Sequence, residues 1–366
     1  MEIPMKTWST ELPLTGDNPC AEKYITPSSA FFDLETTGFS SARNQIYMIG
    51  YAYKKARKIC VTQLFAENPS EEPLVISAFL EFLSGYDTLI SFNGTGFDLP
   101  FLKGRCARYH FTEALDTFYH IDIYKQISGY KDILKLSALK QKTLEDFLGI
   151  PRDDTCSGGD LIPVWLEYAK QPSEEGCKLL KLHNYEDMAG MVQLLPLLSY
   201  PHFFEGGFHV SSWQQQDWNT WEGAAGKELI LALEPELPIP RPFSCRAGEI
   251  YVSGAHRQVK LRAPFYMGEL KYFYPNFKDY YYLPAEDMAV HKSVASFVDR
   301  AYRRQATAAT CYSKKSGRFL PQYQELFSPS LKQEYPDKVS WFELTEDFTD
   351  SEKNLKQYAL HLLKQM

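Results

Sequence analysis

The chain has 366 residues, 44% of them hydrophobic and 23% charged, with a net charge of -7. That composition excludes a chain disordered throughout, gives room for about two domains, and excludes a molecule-wide basic field for nucleic acid or membrane. No apolar run approaches the ~20 residues that span a bilayer, the N-terminus lacks the cationic flank and apolar core of a signal peptide, and the seven scattered cysteines without a CxxC pair fit reduced thiols. A cytoplasmic protein with no membrane partner is expected.

Residues 1–27 read as an N-terminal extension. From residue 28 to 200, strand-like and helix-like segments alternate. SAFFDLE is short, apolar and β-rich. QIYMIGYAYK and KICVTQLFA, joined by the basic KKARK turn, read as two antiparallel neighbours. EEPLVISAFLEFLSGY has helical periodicity and ends on Gly85. DTLISFNG reads as a fourth strand, FDLPFLKGRCARYHF as a second helix, and FYHIDIYK as a fifth strand. KLSALKQKTLEDFLGI suggests two helical pieces, and a last helix around 180–195 stops at Pro196. The pattern predicts an α/β domain, a mixed five-stranded sheet flanked by helices.

Gly206-Gly207 and Pro201 mark a boundary, and residues 208–366 read as a C-terminal accessory domain of α+β type and unrecognised fold. It opens with Trp213, Trp218 and Trp221. Hairpins are expected in GEIYVSGAHRQVKLRAPF and LKYFYPNFKDYYYLP, and a helix over residues 285–304. Two strands are expected around a KKSG turn, and a last helix near 351–364. Residues 1–200 hold 19 Lys+Arg against 26 Asp+Glu, and residues 201–366 hold 20 of each. The net acidity therefore belongs to the first domain.

Asp33 and Glu35 stand two apart on the first strand, so both point to one face. A buried strand carries two acids on one face only at a cost, unless a cation meets them or the strand end is solvated. Asp98 follows the Gly-rich NGTG turn and opens a helix, as a site acid or as a helix-dipole partner. In LHNYEDMAGM, His183 and Asp187 lie four apart on one helix face.

In this order the motifs resemble the DnaQ-like, or DEDD, 3′–5′ exonucleases of the ribonuclease H fold. DLETTG matches that family's D-x-E strand and NGTGFD its N-x-x-x-F-D. His183 and Asp187 combine the spacing of its tyrosine branch with the residue of its histidine branch. This hybrid, with KQKTLEDFLGI and HIDIY, is similar to the YprB-type predicted exonucleases. The resemblance covers residues 28–198. It implies a site for two divalent ions, Mg²⁺ or Mn²⁺, on Asp33, Glu35, Asp98 and Asp187, with His183 as general base and single-stranded DNA or RNA as substrate. An imidazole, titrating near about 6.5, is better matched to neutral pH than a tyrosine near about 10.

Secondary candidates for contacting the nucleotide are Thr36, Thr37 and Gly38 through their backbone amides, Asn93 on its glycine-bounded loop, and Lys103 and Arg105 through phosphate. Asp122 reads as a helix cap or as a site residue. In the second domain Lys292, Arg300, Arg303, Arg304, Lys314, Lys315 and Arg318 face only Asp299 between residues 288 and 322. Drawn on the expected helix, Lys292, Arg300 and Arg303 share one side, which suits either a single-stranded nucleic acid or plain solvent.

Overall fold

The computed structural model describes residues 5–13, 19–219 and 225–366. Trp221 and residues 1–4 and 14–18 of the expected N-terminal extension lie outside them. The chain divides into two compact units, Met1–Phe203 with Leu237–Arg241, and Phe204–Glu236 with Pro242–Met366.

The first unit holds, in order, β1 (Lys6–Pro13), α1 (Pro19–Tyr24), β2 (Ser29–Thr36), β3 (Ile46–Lys55), β4 (Lys58–Phe65), α2 (Glu72–Leu83), β5 (Thr88–Ser91), α3 (Asp98–Tyr109), β6 (Tyr119–Asp122), α4 (Ile123–Ser128), α5 (Gln141–Leu148), α6 (Gly158–Tyr168) and α7 (Glu174–Leu194). Its sheet has six strands in the order β1-β4-β3-β2-β5-β6 rather than the five expected. The added edge strand is β1, from the segment read as an extension, and it pairs antiparallel with β4. The β2-β3-β4 meander is antiparallel, whereas β5 and β6 run parallel to β2. A parallel return needs a crossover, which α2 and α3 supply.

Alternation along β2 sorts its residues. Ala30, Phe32 and Leu34 enter a core built with Phe79 of α2 and Leu102 of α3. Asp33 and Glu35 therefore point to the opposite face, where α6 and α7 lie. That second layer packs Leu161, Trp165, Tyr168 and Leu180 against Tyr47, Met48 and Phe65. Asp33 pairs with Gly50 of β3. A Cβ at Gly50 would stand 2.4 Å from Asn184 Oδ1 and 2.7 Å from Met188 Cγ, so the glycine is what lets α7 approach the sheet this closely.

Two helical readings needed correction here. The KLSALK half of its segment is not helical, and only α5 forms. Helix α6 went unread because it opens on Gly158-Gly159 and contains Pro163, although a Ser157–Asp160 capping box starts it.

The second unit is built on an antiparallel seven-stranded sheet. Its strands are β7 (Phe208–Asn219), β8 (Ala225–Pro235), β9 (Ile239–Ala247), β10 (Ile250–His256), β11 (Gln258–Phe273), β15 (Tyr312–Gln322) and β16 (Ser340–Glu343). A small separate sheet has the order β13-β12-β14, from β12 (Tyr280–Leu283), β13 (Met288–His291) and β14 (Arg304–Gln305).

The β10–β11 hairpin and the final helix (Glu352–Leu363) agree with the sequence. Three expectations for this unit do not hold. LKYFYPNFKDYYYLP is no hairpin, because β11 pairs with β15 while β12 joins the small sheet. The KKSG segment is no turn: Lys314 to Gly317 run mid-strand in β15, with Gly317 opposite Gly268. The helix over 285–304 is replaced by β13, one helical turn (Lys292–Ala295) and β14. Its apolar positions also fit alternation, and pairing with β12 satisfies the backbone.

Candidate active site

The site forms where β2 ends. The pairing register shifts between Glu35 and Thr36, an irregularity that closes the ladder just past the two acids. Glu35 is buried, and one carboxylate oxygen, Oε2, accepts from the Tyr47 hydroxyl at 3.3 Å. The other, Oε1, has no hydrogen-bond partner and lies 3.7 Å from His183 Nε2. Asp33 accepts from Asn184 Nδ2 at 3.2 Å. Asp98, buried at the first turn of α3, accepts from the Leu34 backbone N–H at 3.2 Å. Asp187 Oδ2 stands 3.3 Å from His183 Nε2. Glu35, His183 and Asp187 each offer one ligand atom, and these atoms lie within 4.8 Å of one another. Asp33, Asp98, His183 and Asp187 line one cleft of about 780 Å³.

Burial governs the charge of the acids. It raises the Asp33 carboxyl well above its ordinary value, and neighbouring Glu35 and Asp98 add to the rise. Burial also pushes Glu35 up to about 7, against the pull of His183, and Asp98 up to about 7, against the Leu34 N–H. A buried carboxylate oxygen without a donor, beside acids that resist ionisation, is what a cation site looks like without its cation. The donor set fits divalent metal.

Several residues of the site were not read from the sequence. Asp154 Oδ2 lies 2.7 Å from His183 Nδ1, and Lys142 Nζ reaches the same oxygen at 2.9 Å. Burial alone would raise Asp154, yet Lys142, the Cys156 N–H and His183 outweigh it and hold the carboxyl well below the usual range. Arg152 bridges Asp154 at 3.1 Å, Asp187 Oδ1 at 2.5 Å and Glu145 at 3.1 Å. Burial opposes its charge, but Asp187 and Glu145 hold it protonated. Arg152 and Asp154 sit in the PRDDTCSGG loop between α5 and α6, where no periodicity marks them. The acidic pair Asp153-Asp154 beside an arginine was the one available signal.

The secondary candidates fare unevenly. Asn93 lines the cleft in a left-handed conformation (φ 63), and its N–H donates to Asp122. Asp122 caps α4 through the Lys125 N–H and also holds the Thr95 N–H. The Thr36 hydroxyl donates to the Gly38 carbonyl, and the Thr37 N–H is taken by the Gln45 carbonyl, so this hydroxyl and this amide brace their own turn. Gly38 adopts a positive φ of 148 there. Arg105 does not reach the cleft: its guanidinium is buried against Glu72, with Nε to Oε1 at 2.7 Å and Nη2 to Oε2 at 2.5 Å. Lys103 pairs with Asp116. The cleft's lysines are instead Lys140 and Lys142.

The second unit's cations divide. Lys314 pairs with Asp287 and Glu269, Lys315 pairs with Glu343, and Arg318 donates to Gln215. Lys292 and Arg303 stand over the Tyr281 ring at 5.4 and 4.8 Å, and Arg300 and Arg304 are exposed.

The model of the RNase H superfamily matches residues 30–199. That region has an RNase H-like fold, a mixed sheet flanked by helices. The match covers every strand of the first sheet except β1, and helices α2 to α7. Solved structures similar to the chain include the family B DNA polymerase of the hyperthermophilic archaeon Pyrobaculum calidifontis, at 11% identity and TM-score 0.37, over 66% of this chain and 33% of that one. Exonuclease I of E. coli in complex with a dT13 oligonucleotide shows 11% identity and TM-score 0.31, over 57% of this chain and 55% of that one. Exonuclease I from Methylocaldum szegediense shows 13% identity and TM-score 0.29, over 57% and 54%. The chain thus spans a third to just over half of the lengths of these proteins. No curated protein matches it. Among the described residues, no helix is long and apolar enough to cross a membrane.

Proposed function

We propose that this chain is a metal-dependent nuclease of the 3′–5′ exonuclease type, acting on single-stranded nucleic acid. The observation that carries the reading is the convergence of Glu35, His183 and Asp187 at the end of β2, with an unpartnered buried oxygen on Glu35, on a cleft shared with Asp33 and Asp98. The polarity of attack is taken from the order and type of the three motifs.

Asp33, Glu35, Asp98 and Asp187 would hold the divalent ions, Mg²⁺ or Mn²⁺. Bound there, the ions would stabilise the attacking and leaving oxygens of an in-line phosphoryl displacement. His183 is the general base. Asp154 accepts the Nδ1 proton, which leaves the Nε2 lone pair facing Glu35 and Asp187. That nitrogen takes the proton of the attacking water. Arg152 fixes Asp187 through Oδ1 and leaves Oδ2 on the ring side. Asn93, Lys140 and Lys142 lie on the cleft wall, where they meet the strand's backbone.

The test uses DNA and RNA oligonucleotides labelled at the 5′ end, with Mn²⁺ or with EDTA. A ladder shortened from the 3′ end in Mn²⁺ alone is expected, and Asp33→Ala or Asp187→Ala should abolish it without unfolding the protein. Internal cuts would make it an endonuclease. No cleavage at all would leave a nucleic-acid-binding adaptor on a nuclease fold.

A further inference from the structure

Residues 292–303 form a closed excursion from the small sheet of the second unit. The chain leaves β13 at His291, opposite Tyr280 of β12, and returns at Arg304, opposite Tyr282 of the same strand. With β12 between them and two residues of offset along it, the two ends are only about 12 Å apart. The Arg303 guanidinium donates back to the Ala295 carbonyl, tying the end of the excursion to its start.

On this excursion Phe297 is 93% exposed, and Val294 and Tyr302 are 62% and 67% exposed. Among the described residues, Lys292, Arg300, Arg303 and Arg304 form no ion pair, whereas Lys314 and Lys315 are neutralised on β15. The one acid of the segment, Asp299, uses its carboxylate to cap Ala301.

We infer that this excursion is a binding surface for single-stranded nucleic acid, with bases stacking on Phe297 and Tyr302 and phosphates meeting Arg300, Arg304 and the two cations over Tyr281. Interleaved cations and exposed rings are the pairing that single strands use, since every base offers a π-face and every linkage a charge. A protein-binding patch would concentrate its apolar groups and deplete charge at the centre. A membrane-binding segment would need a longer amphipathic helix than one turn. The choice of ligand rests on the nuclease reading; the surface itself lies in the second unit, on residues separate from the RNase H-like domain's cleft.

Binding of the full chain to fluorescent dT30 in EDTA, measured from 50 to 300 mM salt, tests it, because hydrolysis is then silent. Phe297→Ala with Tyr302→Ala should weaken dT30 binding roughly 30-fold or more, since each lost ring costs about 5- to 150-fold, with the salt slope unchanged. Arg300→Ala with Arg304→Ala should lower the log–log slope by about 1.4, for two lost phosphate contacts. All four side chains are at the surface, so melting temperatures should hold. Unchanged affinity and slope in both variants would overturn the proposal. So would capture by phosphatidylserine vesicles that needs Phe297 while dT30 binding does not. The wild type is assayed in parallel for cleavage of a 5-mer with Mn²⁺. Failure there, with Phe297-dependent dT30 binding intact, would refute the nuclease reading and uphold the surface.

Discussion

Asp154 Oδ2 lies 2.7 Å from Nδ1 of His183, buried on both sides, and this contact decides which ring nitrogen faces the acids. Asp154→Asn should reduce kcat by roughly 10²-fold through loss of ring orientation, with KM little changed. His183→Ala should lose about 10²–10⁴-fold. The double variant should be no slower than His183→Ala, because Asp154 acts through the ring. Additive losses in single-turnover rates would place Asp154 elsewhere in the mechanism.

The raised carboxyls of Glu35 and Asp98 make a prediction about stability. Each binds its proton more tightly in the folded chain, at about 7, than in the unfolded one, at about 4. Between those values the native state holds the extra protons. The stabilisation they bring is full below about pH 4 and is lost as pH rises toward 7. In EDTA, the melting temperature of the wild type should drop more from pH 5 to pH 8 than that of Glu35→Gln. Mn²⁺ should remove most of the difference by binding the ionised acids of the native state alone. Parallel melting curves for the two proteins at both pH values would contradict the assignment.

Arg105 serves the fold rather than the substrate. Its guanidinium is bidentate to Glu72, which also accepts the Ile46 N–H that starts β3. Arg105→Ala leaves that carboxylate buried without its counter-charge, held only by the Ile46 N–H and the Tyr109 hydroxyl, and urea unfolding should show a loss of about 3–5 kcal/mol. The folded fraction should cleave at the wild-type rate. A stable protein with a raised KM would return Arg105 to the phosphate-binding role.

Gly50→Ala tests how closely the helix bearing His183 must approach the sheet. The new methyl would overlap Asn184 and Met188. Overpacking of this kind costs about 1–3 kcal/mol, and displacement of α7 should reduce cleavage more than the stability loss accounts for. Circular dichroism with single-turnover kinetics separates the two effects. Loss of stability without loss of rate would mean that the sheet yields and the helix does not.

Periodicity carried the first sheet well because its strands and crossover helices differ in hydrophobic spacing. Asp33, Glu35, His183 and Asp187 could be found because each pair follows the repeat of its own element, two along β2 and four along α7. Arg152 and Asp154 could not, since they act from an irregular loop and their partners are chosen by the fold. Edge strand β1 was hidden because the pairing that makes KTWSTELP a strand lies on β4, some fifty residues away. In the second unit, the 285–304 segment carries an apolar spacing that suits either a helix or a strand. Only the free hydrogen-bonding edges of Tyr280 to Leu283 decide between them.

The hydrogen bond between Asn184 and Asp33 spans 151 positions of chain. A polypeptide emerging from the ribosome carries its β2 acids long before α7 exists to face them. Until that helix docks over Gly50, Asp33 and Glu35 have neither the imidazole nor the fourth carboxylate. A nascent or truncated chain therefore lacks the full set of candidate site residues. The site is complete only with closure of the whole domain, a timing that chain order alone imposes.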